Sequence, residues 1–167
     1  MSARKPSLAD FQHRAGAAGA NGTRKRFDLS KFDPSGKPFS SGSKARDKAD
    51  VEALAIELDG LQDLFYADRR FKLLVVLQGT DTSGKDGTIR HVYEGVNPLG
   101  VRVASFKAPT EEELGHDFLW RVHQGLPAKG EIGIFNRSHY EDVLVPAVNG
   151  WITPQQTLQR YAHINES

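Results

Sequence analysis

The chain has 167 residues, a length that suits a single domain with a buried core. It contains no cysteine, so no disulfide framework can support the fold, and no apolar run approaches the roughly 18 residues of a membrane span. The formal net charge is only +1, but residues 1–50 carry 11 Lys/Arg against 5 Asp/Glu, whereas residues 51–167 carry 11 against 16. We therefore expect a cytoplasmic protein in which a basic segment precedes an acidic domain.

Residues 1–45 are rich in Gly, Ala, Ser and basic side chains, and few apolar residues recur among them. We interpret this stretch as a flexible basic N-terminal arm in front of a domain that covers residues 46–167. Such an arm could tether a polyanion electrostatically, or it could be a solvated leader without a ligand. The charge pattern leaves both interpretations open.

The domain begins with a predicted helix over residues 47–67, because apolar residues recur there every three to four positions. Its apolar stripe, which we expect to be buried, consists of Val51, Leu54, Leu58, Leu61 and Phe65. Residues 72–79 (KLLVVLQG) are instead a continuous apolar run that ends in glycine, which is typical of a buried parallel strand. Residues 101–106 (VRVASF) and 131–135 (EIGIF) predict two further strands.

Helices are predicted between these strands. The first runs from about residue 85 to residue 94. The second begins at a Thr-x-x-Glu capping box formed by Thr110 and Glu113, and it continues until Gly125 and Pro127 end it.

After the third strand, Ser138 and Glu141 predict another capping box, which opens a helix that ends near residue 145. The order of strands and helices predicts an α/β fold with a parallel three-stranded sheet, flanking helices and right-handed crossovers.

The end of the chain also begins a helix, with Thr153 as N-cap, Pro154 at the first helical position and Gln156 at the third. The sequence stops at Ser167 without a C-cap, and three strands are few for a parallel sheet. We therefore expect the chain to be C-terminally truncated and its sheet to be incomplete.

Between the first strand and the next helix lies LQGTDTSGKDGT, which contains the pattern G-x-x-x-x-G-K from Gly79 to Lys85. In this setting the glycines let backbone amides point inward, the helix N-terminus adds positive charge, and the lysine reaches the terminal phosphates. The predicted phosphate-binding residues are Gly79, Thr82, Ser83, Gly84, Lys85, Asp86, Gly87 and Thr88.

The P-loop motif usually places a Ser or Thr hydroxyl on magnesium directly after the lysine, but this chain has Asp86 there. Because phosphoryl transfer needs magnesium and a carboxylate can hold it, Mg²⁺ is the expected cofactor. Asp81, inside the loop, is our candidate metal-site residue. Asp86 lies in the first turn of the helix, where the dipole favours negative charge, so a structural role and a metal role are both open for it.

The third strand ends at Asn136 and Arg137, where P-loop enzymes usually carry a second acid. The asparagine can still ligate through its carbonyl oxygen. The planar guanidinium of Arg137 could bind the transferring phosphate, or it could form a surface salt bridge with Glu141 or Asp142. The predicted catalytic residues are Asp81, Lys85, Asn136 and Arg137.

Four stretches, LLVVLQGTDTSGKDGTIRHV, VNPLGVRVASFKAPT, HDFLWR and IGIFNRSHYEDVLV, together resemble the polyphosphate kinase 2 family. Its members are P-loop phosphotransferases that move phosphate between inorganic polyphosphate and nucleotides. The resemblance covers about residues 50–167 and implies a P-loop kinase-like fold. In the family, that fold continues into more strands and a helical lid.

The resemblance implies that Asp81 and Lys85 act in metal and phosphate binding, and it matches Asn136 and Arg137 to the acid–arginine pair of the family. Many members have Asp at the first position of this pair. The subgroup with FNRS instead is associated with phosphorylating nucleoside monophosphates as well as diphosphates. Lys107 and Arg121 match basic residues near the nucleotide or polyphosphate, although from the sequence both could equally be solvated charges.

We therefore predict a polyphosphate-dependent nucleotide kinase whose partners are inorganic polyphosphate and AMP/ADP or GMP/GDP. A homo-oligomer is expected, whereas a membrane or a nucleic acid is not expected as a partner. One alternative is an ATP-dependent small-molecule or nucleoside kinase, which donor competition would distinguish. Another is a lidless, inactive remnant that binds polyphosphate, for which salt-dependent binding without turnover would be the sign.

Overall fold

The computed structural model describes Ser30, Asp33 and residues 35–166, and the chain divides into two units, residues 1–50 and 51–167. The predicted arm at residues 1–45 lies largely outside the described residues, so its flexibility and its boundary stay predictions. In the first unit, the Asp47 carboxylate accepts hydrogen bonds from the hydroxyls of Ser40 and Ser41 and from the Ser41 backbone amide. These bonds lower the pKa of Asp47 to about 2.

Strands and helices alternate along the described chain. The elements are α1 (Lys44–Asp68), β1 (Leu73–Leu77), α2 (Lys85–Tyr93), β2 (Val101–Ser105), α3 (Glu111–Leu114), α4 (Trp120–Gly125), β3 (Ile132–Asn136), α5 (Glu141–Val148) and α6 (Pro154–Glu166). A short 3-10 turn, Pro98–Gly100, precedes β2. All three predicted strands are present, with ends that shift by two residues at most. None of the described helices is long and apolar enough to cross a membrane.

The three strands form one parallel sheet in the order β1-β3-β2, which confirms the predicted α/β fold. The strands are paired in register, so that Leu77 of β1 and Ser105 of β2 both lie beside Asn136 of β3. Because parallel strands share a direction, the loops that follow all three strands begin at the same edge of the sheet. That edge is where a ligand site is expected in an open α/β sheet.

The centre of the sheet is also the centre of the core. Ile134 and Phe135 of β3 are completely buried, because β3 has a strand on each side. Phe135 meets Phe106 edge-to-face with ring centroids 4.7 Å apart, and Val122 of α4 belongs to the same buried cluster. The residues that leave β2 and β3 toward the common edge are therefore anchored on well-packed aromatic side chains.

The single helix predicted from Thr110 to Gly125 is wrong, because the chain forms α3 and α4 with a break between them. The capping box of Thr110 and Glu113 is present. After α3, however, the Asp117 carboxylate accepts a hydrogen bond from the Leu119 amide at 2.9 Å, and the Asp117 carbonyl accepts one from Trp120. An aspartate that binds nearby backbone competes with a continuous helix and starts a new one instead.

The capping box predicted for Ser138 and Glu141 is also wrong. The N-cap of α5 is Tyr140, and no side chain caps this helix. The Ser138 hydroxyl instead donates to Gln78 Oε1 at 2.8 Å, and Glu141 Oε1 accepts from Gln78 Nε2 at 2.8 Å. The two side chains are thus engaged by a residue from the end of β1, and α5 continues past its predicted end to Val148.

At the last helix, the prediction from sequence holds. Thr153 Oγ1 accepts from the Gln156 amide at 3.1 Å, and Gln156 Oε1 accepts from the Thr153 amide at 2.8 Å. This reciprocal pair opens α6 at Pro154.

The apolar stripe of α1 is not buried as predicted. Val51, Leu54 and Leu61 are 42%, 62% and 56% exposed, and the one buried residue among the described residues of α1 is Gln62. The other two residues of the stripe, Leu58 and Phe65, are half-buried. The periodicity therefore identified the helix correctly, but only part of its apolar stripe is covered.

Polar contacts, rather than the apolar stripe, connect α1 to the turn before β2. Asp59 Oδ1 accepts a hydrogen bond from the Asn97 amide at 3.0 Å, and Asp63 Oδ1 accepts one from Asn97 Nδ2 at 3.2 Å. The Gln62 side chain lies directly on Gly100, where an added Cβ would come within 1.6 Å of Gln62 Nε2. Glycine at position 100 therefore permits this close contact.

Replacing Gly133 by alanine should destabilise the sheet. A Cβ there would lie 2.7 Å from Pro127 Cδ, so the proline or the strand must shift. We expect the free energy of unfolding to fall by about 1–3 kcal/mol, as measured by urea denaturation. Gly60→Ala is the matched control, because no atom lies within 4 Å of its added Cβ in α1 and alanine favours the helix. Equal stabilities of the two variants would contradict the packing described here.

Candidate active site

The loop between β1 and α2 has the backbone of a phosphate-binding turn. Gly84 (φ 87°) and Thr82 (φ 66°) both have left-handed conformations, and the residue before α2 provides no side-chain cap. A Cβ at position 79 would lie 2.8 Å from Ser83 Oγ, so a larger residue there would displace the Ser83 side chain where the loop returns on itself. The first amides of α2 are therefore left without a side-chain cap at the helix end that attracts anions.

A cleft of about 630 Å³ lies beside this loop, at the edge where the three strands end. Its walls contain ten of the residues predicted from the sequence: Asp81, Thr82, Ser83, Gly84, Lys85, Asp86, Gly87, Lys107, Asn136 and Arg137. Gly79, Thr88 and Arg121 are not part of its lining. The Thr88 hydroxyl donates a hydrogen bond to the Gly84 carbonyl at 3.0 Å and so links the first turn of α2 to the end of the loop.

Lys85 is folded over its own loop. Its Nζ donates to the carbonyls of Gly79 at 2.9 Å and Thr80 at 2.8 Å and to Ser83 Oγ at 3.2 Å. These bonds hold the loop in a closed turn and keep a positive charge on the wall of the cleft. A phosphate oxygen could replace these neutral acceptors, because hydrogen bonds to charged groups are the stronger ones.

Asp86 and Asn136 connect α2 to the end of β3. Asn136 Nδ2 donates to Asp86 Oδ1 at 2.6 Å. This contact gives Asp86 a visible structural role in addition to its place in the first turn of α2. An asparagine at the end of β3 is compatible with the neighbouring Asp86 carboxylate, because its side-chain amide donates a hydrogen bond. A second acid at this position would instead add negative charge.

Arg137 lies between the loop and α5. It has a left-handed backbone (φ 65°), an uncommon conformation for a residue other than glycine, and its amide donates to the Leu77 carbonyl at 3.0 Å. Its Nη2 pairs with the Asp81 carboxylate, and its Nη1 lies 3.4 Å from Glu141 Oε2. The salt bridge with Glu141, one of the alternatives from the sequence, is thus present, and Asp81 is a second partner that the sequence did not predict.

The carboxylates in the cleft suit magnesium that is shared with a phosphate ligand. Asp81 is 83% exposed at its side chain and lies with Asp86 in the cleft wall. Within the described residues, no three His, Cys, Asp or Glu side chains form a group that could hold a metal by themselves. Magnesium commonly binds one or two carboxylates together with waters and substrate phosphates, and this donor set fits that pattern.

Arg121, predicted to contact the nucleotide or polyphosphate, is buried and does not line this first cleft, although it lies in the wall of the second cleft described below. Its Nε and Nη2 donate to Asp142 Oδ2 at 3.1 and 2.8 Å, and its Nη1 donates to the Lys107 carbonyl at 2.9 Å. Burial raises the pKa of Asp142, while the adjacent guanidinium opposes that rise. In this arrangement Arg121 binds protein acceptors and supports the segment that carries Lys107.

A second cleft of about 540 Å³ adjoins the first, and the two share Lys107, Ala108 and Arg137. The apolar part of its wall consists of Pro109, Leu114, Phe118, Val145, Pro146, Trp151 and Ile152. Polar and charged side chains complete the wall: Glu113, His116, Arg121, Glu141, Asp142 and Arg160. The Arg160 guanidinium lies over the Phe118 ring at 4.9 Å. This cleft could not be predicted from the sequence, because its apolar residues come from five separate stretches of the chain and share no periodicity.

The sequence pattern did not predict a role for Gln78. It offered Glu141 and Asp142 only as salt-bridge partners of Arg137. Gln78 binds residues that lie 60 and 63 positions further along the chain. A pattern of neighbouring residues cannot reveal such contacts. The one available signal was the position of Gln78 at the end of β1, directly before the loop.

Comparison with known proteins gives a family match over most of the chain. The family model described as Polyphosphate kinase 2 (PPK2) matches residues 41–167. An AMP/ADP-polyphosphate phosphotransferase from Meiothermus ruber is 56% identical over 144 residues, which cover 84% of this chain and 53% of the relative. An ADP-polyphosphate phosphotransferase from Rhodopseudomonas palustris is 44% identical over 128 residues, or 77% of this chain and 44% of that protein.

A solved structure is similar over the same region. The crystal structure of polyphosphate kinase 2 from Arthrobacter aurescens TC1 superposes with a TM-score of 0.78 at 44% identity, covering 84% of this chain and 51% of that one. The chain thus spans about half the length of these relatives.

The buried pair of Arg121 and Asp142 yields a stability prediction. Arg121→Met should lower the free energy of unfolding by about 3 kcal/mol, because it leaves the Asp142 carboxylate buried without its partner. The double variant R121M/D142L should recover most of that loss. Arg102→Met is the control, since Arg102 is 54% exposed and lies 3.9 Å from its partner Glu131. Chemical denaturation checks all three, and a loss for R121M no larger than that for R102M would contradict a structural role for this pair.

Proposed function

The chain belongs to the polyphosphate kinase 2 family, and on that basis we propose that it transfers phosphate between inorganic polyphosphate and a nucleoside mono- or diphosphate, with Mg²⁺. The observation that carries the proposal is the convergence of Lys85, Asp81 and Arg137 on one open cleft at the edge of the sheet. Phosphoryl transfer asks a protein mainly for positioning and for stabilisation of charge, and these residues supply both.

The loop and Lys85 are proposed to bind the end of the polyphosphate donor. The amides at the start of α2 lack a side-chain cap, so phosphate oxygens can accept their hydrogen bonds. Lys85 Nζ would exchange its bonds to the carbonyls of Gly79 and Thr80 for bonds to charged phosphate oxygens. Because the ammonium already lies on the cleft wall, this exchange requires movement of one side chain and no rearrangement of the sheet.

Arg137 is proposed to stabilise the phosphoryl group in transfer. Its guanidinium offers a planar set of donors that matches phosphate oxygens, and its backbone is tied to β1 through the Leu77 carbonyl. An oxygen of the acceptor phosphate would attack in line with the leaving polyphosphate oxygen. Asn136 would keep Asp86 in place beside this reaction, through the hydrogen bond described above.

Asp81 and Asp86 are the carboxylates proposed to hold the metal. Magnesium, when bound, would neutralise negative charge on the phosphate oxygens and so lower the cost of bringing two polyanions together. Asp81 is the more exposed member of its ion pair with Arg137, so it can give up that contact for a cation. This exchange would also free one side of the guanidinium for phosphate.

The second cleft is proposed to take the acceptor nucleotide. Its apolar wall suits the faces of a nucleobase, while Lys107 and Arg137, shared with the first cleft, suit the nucleotide phosphates. The relative from Meiothermus ruber is named for AMP and ADP, which favours an adenine nucleotide over GMP or GDP as the acceptor. The cytoplasmic location and the homo-oligomeric state stay predictions from the sequence.

Lys85→Ala should lower nucleotide phosphorylation about a hundredfold, the effect of removing one positioned donor to developing charge. The measurement is phosphorus NMR of the purified chain with polyphosphate, Mg²⁺ and either AMP or ADP. Lys129→Ala is the matched control, because Lys129 is exposed and precedes the opposite end of β3.

Equal activity of K85A and K129A would contradict the proposed role of the loop. Parallel reactions with ATP as donor test the reaction itself. Phosphorylation of a nucleoside or small molecule with ATP, but no reaction with polyphosphate, would identify an ATP-dependent kinase instead.

Trp151→Ala should raise the KM for the nucleotide at least about fivefold while leaving the KM for polyphosphate unchanged, because an aromatic contact with a base contributes to nucleotide binding alone. Trp151 lies in the wall of the second cleft and is 71% exposed. Phe71→Ala is the control, because it removes a similarly exposed aromatic side chain (64%) that precedes β1 and lines neither cleft. Steady-state kinetics with each substrate varied in turn would overturn the assignment if W151A changed the two KM values equally.

A further inference from the structure

We propose that Gln78 is a positioning residue for phosphoryl transfer: it orients Glu141, and Glu141 in turn holds the guanidinium of Arg137 in the cleft. The inference rests on the proposed function, and it adds a residue that does not itself touch the phosphates. Gln78 lies between the last residue of β1 and the first glycine of the phosphate loop.

The amide of Gln78 binds two side chains that follow Arg137 along the chain. Its Nε2 donates to Glu141 Oε1 at 2.8 Å, and its Oε1 accepts from the Ser138 hydroxyl at 2.8 Å. Ser138 is completely buried, and the Glu141 side chain is only 13% exposed. The surroundings therefore restrict both partners of Gln78. Its side-chain amide satisfies them together, because it donates to the Glu141 carboxylate and accepts from the Ser138 hydroxyl.

Glu141 in turn orients the guanidinium of Arg137 through its second carboxylate oxygen. While its Oε1 accepts from Gln78, its Oε2 lies 3.4 Å from Arg137 Nη1. The other arm of the guanidinium pairs with Asp81, which belongs to the same loop that Gln78 precedes. Two contacts, Gln78 with Glu141 and Arg137 with Asp81, thus connect the phosphate loop and the residue before it to the segment after β3.

The two carboxylates on Arg137 differ in their access to solvent and hence in their expected roles. Asp81 is 83% exposed, whereas Glu141 is 13% exposed. When a metal engages Asp81, the less exposed carboxylate of Glu141 is the contact that remains to hold the guanidinium. The backbone bond to Leu77 fixes the Arg137 backbone but leaves its long side chain free to rotate. The orientation of Glu141 by Gln78 therefore decides where the freed donors point.

The kinetic test compares Gln78→Met with Gln78→Glu. Methionine keeps the size of the side chain but loses both hydrogen bonds, so we expect kcat to fall about tenfold with both KM values nearly unchanged, the sign of a contact realised in the transition state. Gln155→Met, at an exposed position of α6, is the control. Wild-type kcat in Q78M would overturn the inference.

Gln78→Glu adds a readout that a merely structural role would not produce. Its carboxylate would face Glu141, and two adjacent carboxylates share a proton as the pH falls. The shared proton restores a donor, so the ratio of Q78E to wild-type kcat should rise toward low pH, while the ratio for Q78M stays level. The other titratable and charged groups nearby, Arg137, Asp81, Lys85, His139 and Asp142, are the same in both variants. Parallel ratios for Q78E and Q78M would count against the inference.

A measurement without turnover separates this inference from the proposed function. The heteronuclear NOE of the Arg137 Nε–H group should fall in Q78M and stay at the wild-type value in Gln155→Met. An unchanged NOE in Q78M overturns the positioning role even in an active enzyme. A wild-type chain that transfers no phosphate to any nucleotide overturns the proposed function instead, and the NOE then still decides whether Gln78 orients Arg137.

Discussion

The parallel pairing of β3 with a strand on each side is the constraint on which the rest of the structure depends. It buries Ile134 and Phe135 completely and brings the ends of all three strands level at Leu77, Ser105 and Asn136. A shift of one residue in either pairing would turn the side chains of that strand to the opposite face. The phosphate loop, the segment with Lys107 and the turn with Arg137 converge because this register holds.

The candidate site is held together by bonds among its own charged residues. Lys85 binds carbonyls of its loop, Asp86 binds Asn136, and Asp81 pairs with Arg137. The ion pair of Asp81 and Arg137 lies in the open cleft, where screening by water keeps its free energy small. A polyanion with its metal can therefore exchange with them at low cost. In contrast, Arg121 and Asp142 are buried, so water screens their ion pair much less.

Local sequence patterns were sufficient to predict the strands, the parallel α/β fold and most of the residues that line the first cleft. The G-x-x-x-x-G-K loop and the strand-end pair Asn136 and Arg137 were found because their spacing itself reflects backbone geometry. Two of the failures have different physical causes. Ser138 and Glu141 fit a capping box by spacing, but they bind Gln78, which lies 60 and 63 residues earlier in the chain, and no local preference reports on such a partner. The helix predicted after Thr110 is instead broken locally, because the Asp117 carboxylate binds the Leu119 amide.

The wall shared by the two clefts has a consequence for the thermodynamics of binding. Lys107 and Arg137 contribute charge to both volumes, so a ligand in one cleft alters the electrostatic potential in the other. Linkage then requires reciprocity: whatever factor an occupant of the first cleft imposes on affinity in the second, the second occupant imposes on affinity in the first. Two anionic ligands that compete for the same cations bind anticooperatively unless a further cation accompanies them. The order of addition in a binding experiment would therefore matter for rates, but not for the final equilibrium.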